Sequence, residues 1–315
     1  MVNTSGCVSG RRGITLAGVT ATAVTEGRVE GHADLDLRPT LAMVELVNDE
    51  DAKVASAVRG AAPRLAAAID AIAERLGRGG RLIYVGAGSS GRLALVDAAE
   101  CGPTFGVPPE QVLALVAGGA TALAVAQEAA EDDGAAGEAD VTEARVSERD
   151  AVVLLSASGD TAYVVGAART AAAAAALTVA VVCADGSRLG RLVEHEIVAV
   201  VGPEVISGST RMKAGTAQKL ILNTISTVAM VKLGKTYGNL MVDVVASNAK
   251  LRERTRRAVM VATGASADAA DAALVLADGR AKVAIVSLVA NVDAAAAQQR
   301  LEEAGGVVRR ALADR

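Results

Sequence analysis

The pattern of apolar positions changes from helical to strand-like near residue 80. Between Asn48 and Leu76 apolar side chains recur at helical spacing, with Asn48 as the predicted N-cap and Pro63 as a predicted break. Beyond that region, short apolar runs alternate with alanine-rich helical stretches. The runs lie at 81–85, 112–116, 151–155, 178–183 and 197–201. Such runs are typical of strands buried on both faces, so the pattern predicts an α/β fold whose parallel sheet is covered by helices on both sides.

The two ends of the chain depart from this alternation. Residues 1–47 are predicted to form an N-terminal helical arm that packs on another part of the protein. Residues 48–250 are predicted to form the sheet domain, which includes a long helix at 214–233. Residues 251–315 contain only helical patterns, broken by glycines near positions 264, 279 and 305, and predict a small C-terminal helical domain.

Composition and charge narrow the class of function. The 315 residues carry a net charge of −4, without tryptophan and without a long basic block, so no nucleic acid surface is expected. No signal peptide and no apolar run of about 20 residues is visible, so no membrane partner is expected. The odd number and wide spacing of Cys7, Cys101 and Cys183 exclude a disulfide framework and a zinc site. We therefore expect a cytoplasmic protein without a metal ion.

A glycine-rich loop, Gly86 to Arg92, follows the first predicted strand at the sheet edge where α/β folds bind ligands. Its Gly88, Ser89 and Ser90 belong to a G-x-G-x-x-G sequence, which is a weak dinucleotide signature on its own. A dinucleotide site needs an acidic residue after the next strand, and residues 117–119 are Ala-Gly-Gly. The serines favour a phosphate or a sugar instead.

A second loop follows the predicted strand at 151–155 and is rich in hydroxyl groups. Ser156, Ser158 and Thr161 lie at the start of the next helix, where free amides and hydroxyls bind anions. An ordinary helix cap is the alternative interpretation of this loop.

A third loop carries Ser209 and Thr210, followed by Arg211 and Lys213 at the start of the long helix. The helix dipole disfavours cations there by ~0.3–1 kcal/mol each, so a bound anion or an acidic residue such as Glu204 is expected to compensate. Two solvated surface charges are the alternative. Together, the three loops predict a binding site for a phosphorylated small molecule.

Four longer segments are similar to one enzyme family. They are RLIYVGAGSSGRLALVDAAECGPTFG (81–106), EAAEDD (128–133), VVGPEVISGSTRMKAGTAQKLILNTIS (200–226) and LGKTYGNLMVDV (233–244). From about residue 25 onward the chain resembles the N-acetylmuramic acid 6-phosphate etherases, which belong to the sugar isomerase (SIS) domain superfamily. The resemblance implies a flavodoxin-like sheet, a phosphosugar substrate, no cofactor and a homodimer. The family reaction cleaves the C3 D-lactyl ether of the sugar, by elimination followed by water addition.

The resemblance assigns this chemistry to two carboxylates, Glu100 and Glu131. Glu100 is predicted to end the helix after the first loop, and Glu131 lies in an acidic cluster predicted to close another helix at Gly134. Without the resemblance, both would be read as solvated charges. The implied roles are proton donation to the departing lactate by Glu100 and a second acid/base role for Glu131. His32 and His195 are expected to have no catalytic role.

The sequence departs from the family pattern at Ala99, Gly102 and Asp160. The family usually has serine and proline at the first two positions and a basic residue at the third. A negative charge at Asp160 would weaken a neighbouring phosphate, which bears on substrate affinity or identity. A phosphosugar isomerase and a non-catalytic phosphosugar sensor, similar to the glucokinase regulatory protein, are the two alternative functions.

Overall fold

The computed structural model describes residues 25–29, 31–246 and 248–313. These residues contain a five-stranded parallel sheet with the order β2-β1-β3-β4-β5. The strands are β1 (Leu82–Gly86), β2 (Val112–Val116), β3 (Ala151–Leu155), β4 (Leu177–Val182) and β5 (His195–Val198). This is the flavodoxin-like strand order. The predicted fold class is confirmed.

The last strand, β5, starts two residues earlier and ends three residues earlier than the apolar run at 197–201 that predicted it. It is an edge strand, paired with β4 alone, and its first residues His195 and Glu196 are polar and half-buried. Ala199 and Val201 follow the strand and pack into the core. The apolar run therefore covers the end of the strand and the segment after it, because both contribute side chains to the core.

Helices precede, flank and follow the sheet. Those of the sheet region are α1 (Thr40–Asp51), α2 (Val54–Gly60), α3 (Ala62–Gly77), α4 (Gly88–Phe105), α5 (Thr121–Ala124), α6 (Gly134–Glu143), α7 (Ala162–Ala173) and α8 (Lys213–Lys232). Those near the C-terminus are α9 (Ala249–Thr263), α10 (Ala267–Leu276), α11 (Ala281–Ala290), α12 (Ala294–Glu303) and α13 (Val308–Ala311). A short hairpin of β6 (Thr236–Tyr237) and β7 (Leu240–Met241) separates the two groups.

The first helices begin earlier than the sequence predicted. Asn48 lies inside α1 rather than capping it, because the extended segment before the helix ends at Pro39, whose fixed φ suits a helix start. Pro63 does mark a break: α2 ends at Gly60, and Pro63 occupies the first turn of α3.

The sheet lies between two apolar layers. One contains α3, α4 and α8, and the other contains α6 and α7. A third apolar cluster joins α9 to α13 with Val242. Among the described residues, no single helix is long and apolar enough to span a membrane.

A buried polar network joins β1, α4 and α8. Asp97 of α4 accepts hydrogen bonds from Tyr84 Oη (2.7 Å), Asn223 Nδ2 (2.6 Å) and Ser226 Oγ (3.1 Å). Burial, followed by the negative charge of Asp97, raises the pKa of Tyr84 well above its ordinary value. The network therefore fixes α4, which carries the glycine-rich loop at its start, against the sheet and α8.

We expect Asp97→Ala to lower the free energy of unfolding by about 2–4 kcal/mol, because the buried Tyr84 and Ser226 and the half-buried Asn223 lose their acceptor. Asp70→Ala is the control, since Asp70 is 66% exposed and forms a surface ion pair with Lys232. That variant should change stability by less than about 1 kcal/mol. Urea denaturation measures both. Equal midpoints for the two variants would show that the network does not stabilise the fold.

Candidate active site

The glycine-rich loop from Gly86 to Arg92 becomes the start of α4. The helix begins at Gly88, whose φ of 53° lies in the left-handed region, and its N-cap is Ala87. Within the described residues no side chain caps this end, and its first turn contains no acidic residue. Its first N–H groups and the positive end of its dipole are therefore available to an anion.

The second loop presents the start of α7. Ser156 is buried and shapes the loop: its Oγ accepts from Gly159 N (2.9 Å) and lies 2.9 Å from Thr161 Oγ1. Ser158 Oγ accepts from Asp160 N at 3.2 Å. Thr161 is the N-cap residue but makes no side-chain capping bond. The start of α7 is thus a second helix start whose backbone N–H groups are not capped by a side chain and are available to an anion.

The third loop leads into α8, and protein carboxylates compensate most of the positive charge there. The buried Glu204 accepts from Lys213 N (3.0 Å) and Ala214 N (2.9 Å). Lys213 Nζ donates to Glu50 Oε2 of α1 at 2.6 Å, with the two side chains 2% and 8% exposed. Burial acts to raise the pKa of Glu50, but hydrogen bonds from Lys213 and Lys53 hold it below its ordinary value.

The three loops meet at one cavity of about 550 Å³. Seven residues singled out from the sequence line it: Ser89, Ser90, Glu131, Ser158, Thr161, Ser209 and Thr210. Gly88, Glu100, Ser156 and Lys213 do not. Ser156 lies beneath the surface, and the ammonium of Lys213 is committed to Glu50, so the geometry does not support Lys213 as a phosphate ligand.

Glu131 reaches the cavity from a 3-10 turn, Glu128–Asp132, that precedes α6. The acidic cluster therefore opens a helix at Gly134 instead of closing one, and Asp133 caps it by accepting from Ala136 N at 2.9 Å. Acidic residues are favoured at this end of a helix, which corrects the prediction from the sequence.

The carboxylate of Glu131 lies against the start of α4. A Cβ atom on Gly88 would overlap Glu131 Oε1, and the positive φ of Gly88 disfavours any other residue at this position. Burial, followed by repulsion from Asp132 and Glu128, raises the pKa of Glu131, and Arg92 offsets part of that effect. A carboxyl group with a raised pKa beside an anion site is suited to acid/base chemistry.

Glu100 lies elsewhere. Helix α4 does not end there but continues through Pro103 to Phe105, where Gly106 in the left-handed conformation terminates it. Glu100 is exposed, and it is twelve residues from Gly88. At about 1.5 Å per residue this separates the two positions by about 18 Å. Within one chain, Glu100 and Glu131 therefore do not share a site.

The cavity also contains residues that the sequence did not single out for binding. They include Thr25 and Glu26 of the arm, Glu128 and Asp132, whereas Arg211, which also lines the cavity, was noted from the sequence as a cation that an anion would compensate. The arm is held there by Ser207 Oγ, which donates to the carbonyl oxygens of Glu26 (3.1 Å) and Gly27 (2.9 Å). No local sequence pattern predicts a contact between residues about 180 positions apart.

A buried glutamine of α8 forms a hydrogen bond with the first loop. Gln218 of α8 accepts a hydrogen bond from Ser90 Oγ at 2.7 Å, and within the described residues its Nε2 atom has no partner. His32, Asp160 and His195 do not line the cavity. In the same part of the chain, no three His, Cys, Asp or Glu side chains are grouped so that they hold a metal ion.

Comparison with known proteins gives one consistent set of relatives. An N-acetylmuramic acid 6-phosphate etherase of Rubrobacter xylanophilus is 56% identical over 92% of this chain and 96% of its own. The etherase of Streptomyces coelicolor is 51% identical over 93% and 94%. Residues 64–172 match the family described as glucokinase regulatory protein N-terminal SIS domain.

Among solved structures, a phosphoheptose isomerase from Francisella tularensis is 18% identical. It covers 62% of this chain and all of its own, with a TM-score of 0.50. At that identity the likeness shows the fold alone.

We expect Lys213→Met to lower the free energy of unfolding by about 3 kcal/mol, because it leaves Glu50 buried without its main partner. The double variant Glu50→Met/Lys213→Met should recover most of that loss, and urea denaturation measures both. If Lys213→Met keeps full stability but loses phosphosugar affinity, the lysine binds the ligand and the structural role is wrong.

Proposed function

The chain belongs to the N-acetylmuramic acid 6-phosphate etherase family, and we propose that it is a carbon–oxygen lyase acting on that sugar phosphate. It cleaves the C3 D-lactyl ether and yields D-lactate and N-acetylglucosamine 6-phosphate, as part of amino-sugar recovery from peptidoglycan. The observation that carries the proposal is the position of Glu131, with its raised pKa, beside the uncapped starts of α4 and α7 in one cavity.

The phosphate is proposed to bind between the starts of α4 and α7. Both helices direct N–H groups and the positive ends of their dipoles toward the cavity. Ser89, Ser158 and Thr161 line the same region and add hydroxyl donors. This site needs no cationic side chain, which agrees with the commitment of Lys213 to Glu50.

The reaction is proposed to proceed through the open-chain sugar, because a C1 aldehyde acidifies the proton on C2. Glu131 removes that proton, and the C3–oxygen bond breaks as a second carboxylic acid, Glu100, protonates the departing lactate oxygen. Water then adds to C3 while C2 regains a proton. Two carboxyl groups in opposite protonation states are sufficient for these transfers, without a metal ion or nucleotide.

Glu100 is proposed to reach this chemistry from a second copy of the chain. On α4, Val96, Ala99 and Glu100 lie on one exposed face, with Val96 54% exposed. The adjacent helix α8 exposes Val228 and Val231. An apolar surface around a catalytic carboxylate favours a homodimer in which Glu100 of one protomer enters the Glu131 cavity of the other.

We also propose that the protein works in the cytoplasm. Cys101 and Cys183 are buried free thiols, as is usual in a reducing compartment. Burial is the main cause that raises the pKa of each thiol, to about 12. These cysteines are therefore packing residues and not nucleophiles.

The proposed activity predicts stoichiometric release of D-lactate when the purified protein meets N-acetylmuramic acid 6-phosphate, with or without EDTA. An enzymatic lactate assay measures this. Isomerised phosphosugar without lactate would identify an isomerase instead. Binding without any turnover would identify a sensor.

We expect Glu131→Gln to lower kcat by about 10²–10⁴-fold, because glutamine cannot take the C2 proton. The raised pKa of Glu131 also sets the pH dependence. The base is lost on the acid side, so kcat/KM should fall as the pH drops through that pKa, above the ordinary range of glutamate. Near-normal turnover of the variant would remove Glu131 from the mechanism.

The same pKa predicts a stability change of known sign. Because burial disfavours the ionised form, the native state loses relative stability as the pH rises through the raised pKa. Glu131→Gln should therefore raise Tm at pH 8 and leave it unchanged below about pH 4, the ordinary range of glutamate. Differential scanning calorimetry at both pH values measures this. A lower Tm of the variant at pH 8 would show that the charged form is stabilised in the cavity.

A further inference from the structure

Arg211 is the one cation at the start of α8 that no carboxylate neutralises within the described residues. Glu204 binds the backbone N–H groups of Lys213 and Ala214, and Glu50 binds the ammonium of Lys213. Arg211 is exposed and forms no salt bridge in the described part of the chain. It is also the only cationic side chain, among the described residues, that lines the cavity.

The loop that carries Arg211 is not built as a phosphate site. Ser209 N donates to Ile206 O (2.9 Å), and Thr210 N donates to Gly208 O (2.9 Å). The next helical amides, those of Lys213 and Ala214, are held by Glu204. Since these amides are already bonded, the third loop offers a guanidinium and hydroxyl groups, whereas α4 and α7 offer free N–H groups to the phosphate.

The charges around the cavity favour a dianionic phosphate at one end and a monoanion at the other. Glu26 lies beside the third loop, where its Oε2 atom would be 2.9 Å from a Cβ on Gly208. A carboxylate at that position disfavours a dianionic phosphate nearby. Glu26 repels a monoanion less strongly than a dianion, and a planar carboxylate matches the two-point fork of an arginine.

We propose that Arg211 binds the carboxylate of the substrate's lactyl group and thereby distinguishes the lactyl ether from phosphosugars that lack it. This inference rests on the proposed function, because the lactyl group is what that reaction removes. The guanidinium holds the leaving group in place while the C3–oxygen bond breaks, and it releases lactate as a free anion afterwards. Its role is recognition and positioning, without proton transfer.

The test compares two ligands that differ only in the lactyl group. In Arg211→Met, we expect the dissociation constant of N-acetylmuramic acid 6-phosphate to rise about 10–100-fold, because a pair of charge-assisted hydrogen bonds is lost. The dissociation constant of N-acetylglucosamine 6-phosphate should remain within about twofold, since that ligand has no carboxylate. Calorimetry measures both in the Glu131→Gln background, in which turnover is slowed about 10²–10⁴-fold.

Lys219→Met is the matched control. Lys219 is an exposed cation on α8 that does not line the cavity, so its loss should change neither affinity. Arg211→Lys should keep part of the discrimination, because the charge remains but the two-point contact is lost.

Two outcomes would overturn the proposal. Equal weakening of both ligands by Arg211→Met would place the phosphate at Arg211, and unchanged affinity for both would remove Arg211 from recognition. Failure of the proposed function is a different result: the wild-type protein would release no lactate, whatever the two affinities show.

Discussion

The structure of the site depends on the continuity of one helix. Helix α4 is unbroken from Gly88 to Phe105. The helix therefore keeps Glu100 at a fixed distance from the N-terminal end that offers N–H groups to an anion. Glu131 lies beside Gly88 at the start of this helix and not beside Glu100. If both glutamates act on one sugar, as the family resemblance implies, the site is completed by a second copy of the chain.

Burial determines which charges remain available for chemistry. The ion pair between Lys213 and Glu50 anchors the arm helix α1 to α8, and its cation is therefore unavailable to a ligand. Glu131 is not paired in this way: partial burial, followed by its acidic neighbours, raises its pKa, and no ion pair among the described residues neutralises it. The same comparison leaves Arg211 as the free cation of the cavity. Structural charges are paired, and the charges proposed to act on substrate are not.

The sequence predicted the sheet, its flanking helices and the three loops, because runs of apolar residues and glycine-serine turns report buried strands and their ends directly. It did not predict contacts that depend on distant elements. Glu26 is held at the cavity by a hydrogen bond from Ser207 Oγ to its backbone carbonyl oxygen. Glu50 of α1 forms an ion pair with Lys213 of α8. The direction of the acidic cluster was also wrong, because Glu128 to Asp133 looks the same before a helix as after one. The predicted end of α4 at Glu100 was also wrong, because the helix continues through Pro103 to Phe105.

Mixing two inactive variants tests the central claim, that each active site takes Glu131 from one protomer and Glu100 from the other. Glu100→Gln and Glu131→Gln are unfolded together in equal amounts, refolded and assayed for lactate release. Half of the sites in each mixed dimer would then contain both native glutamates, so about one quarter of the wild-type activity should return. The separately refolded variants should remain inactive. No recovery in the mixture, with mixed dimers shown to form, would contradict a site shared between two copies.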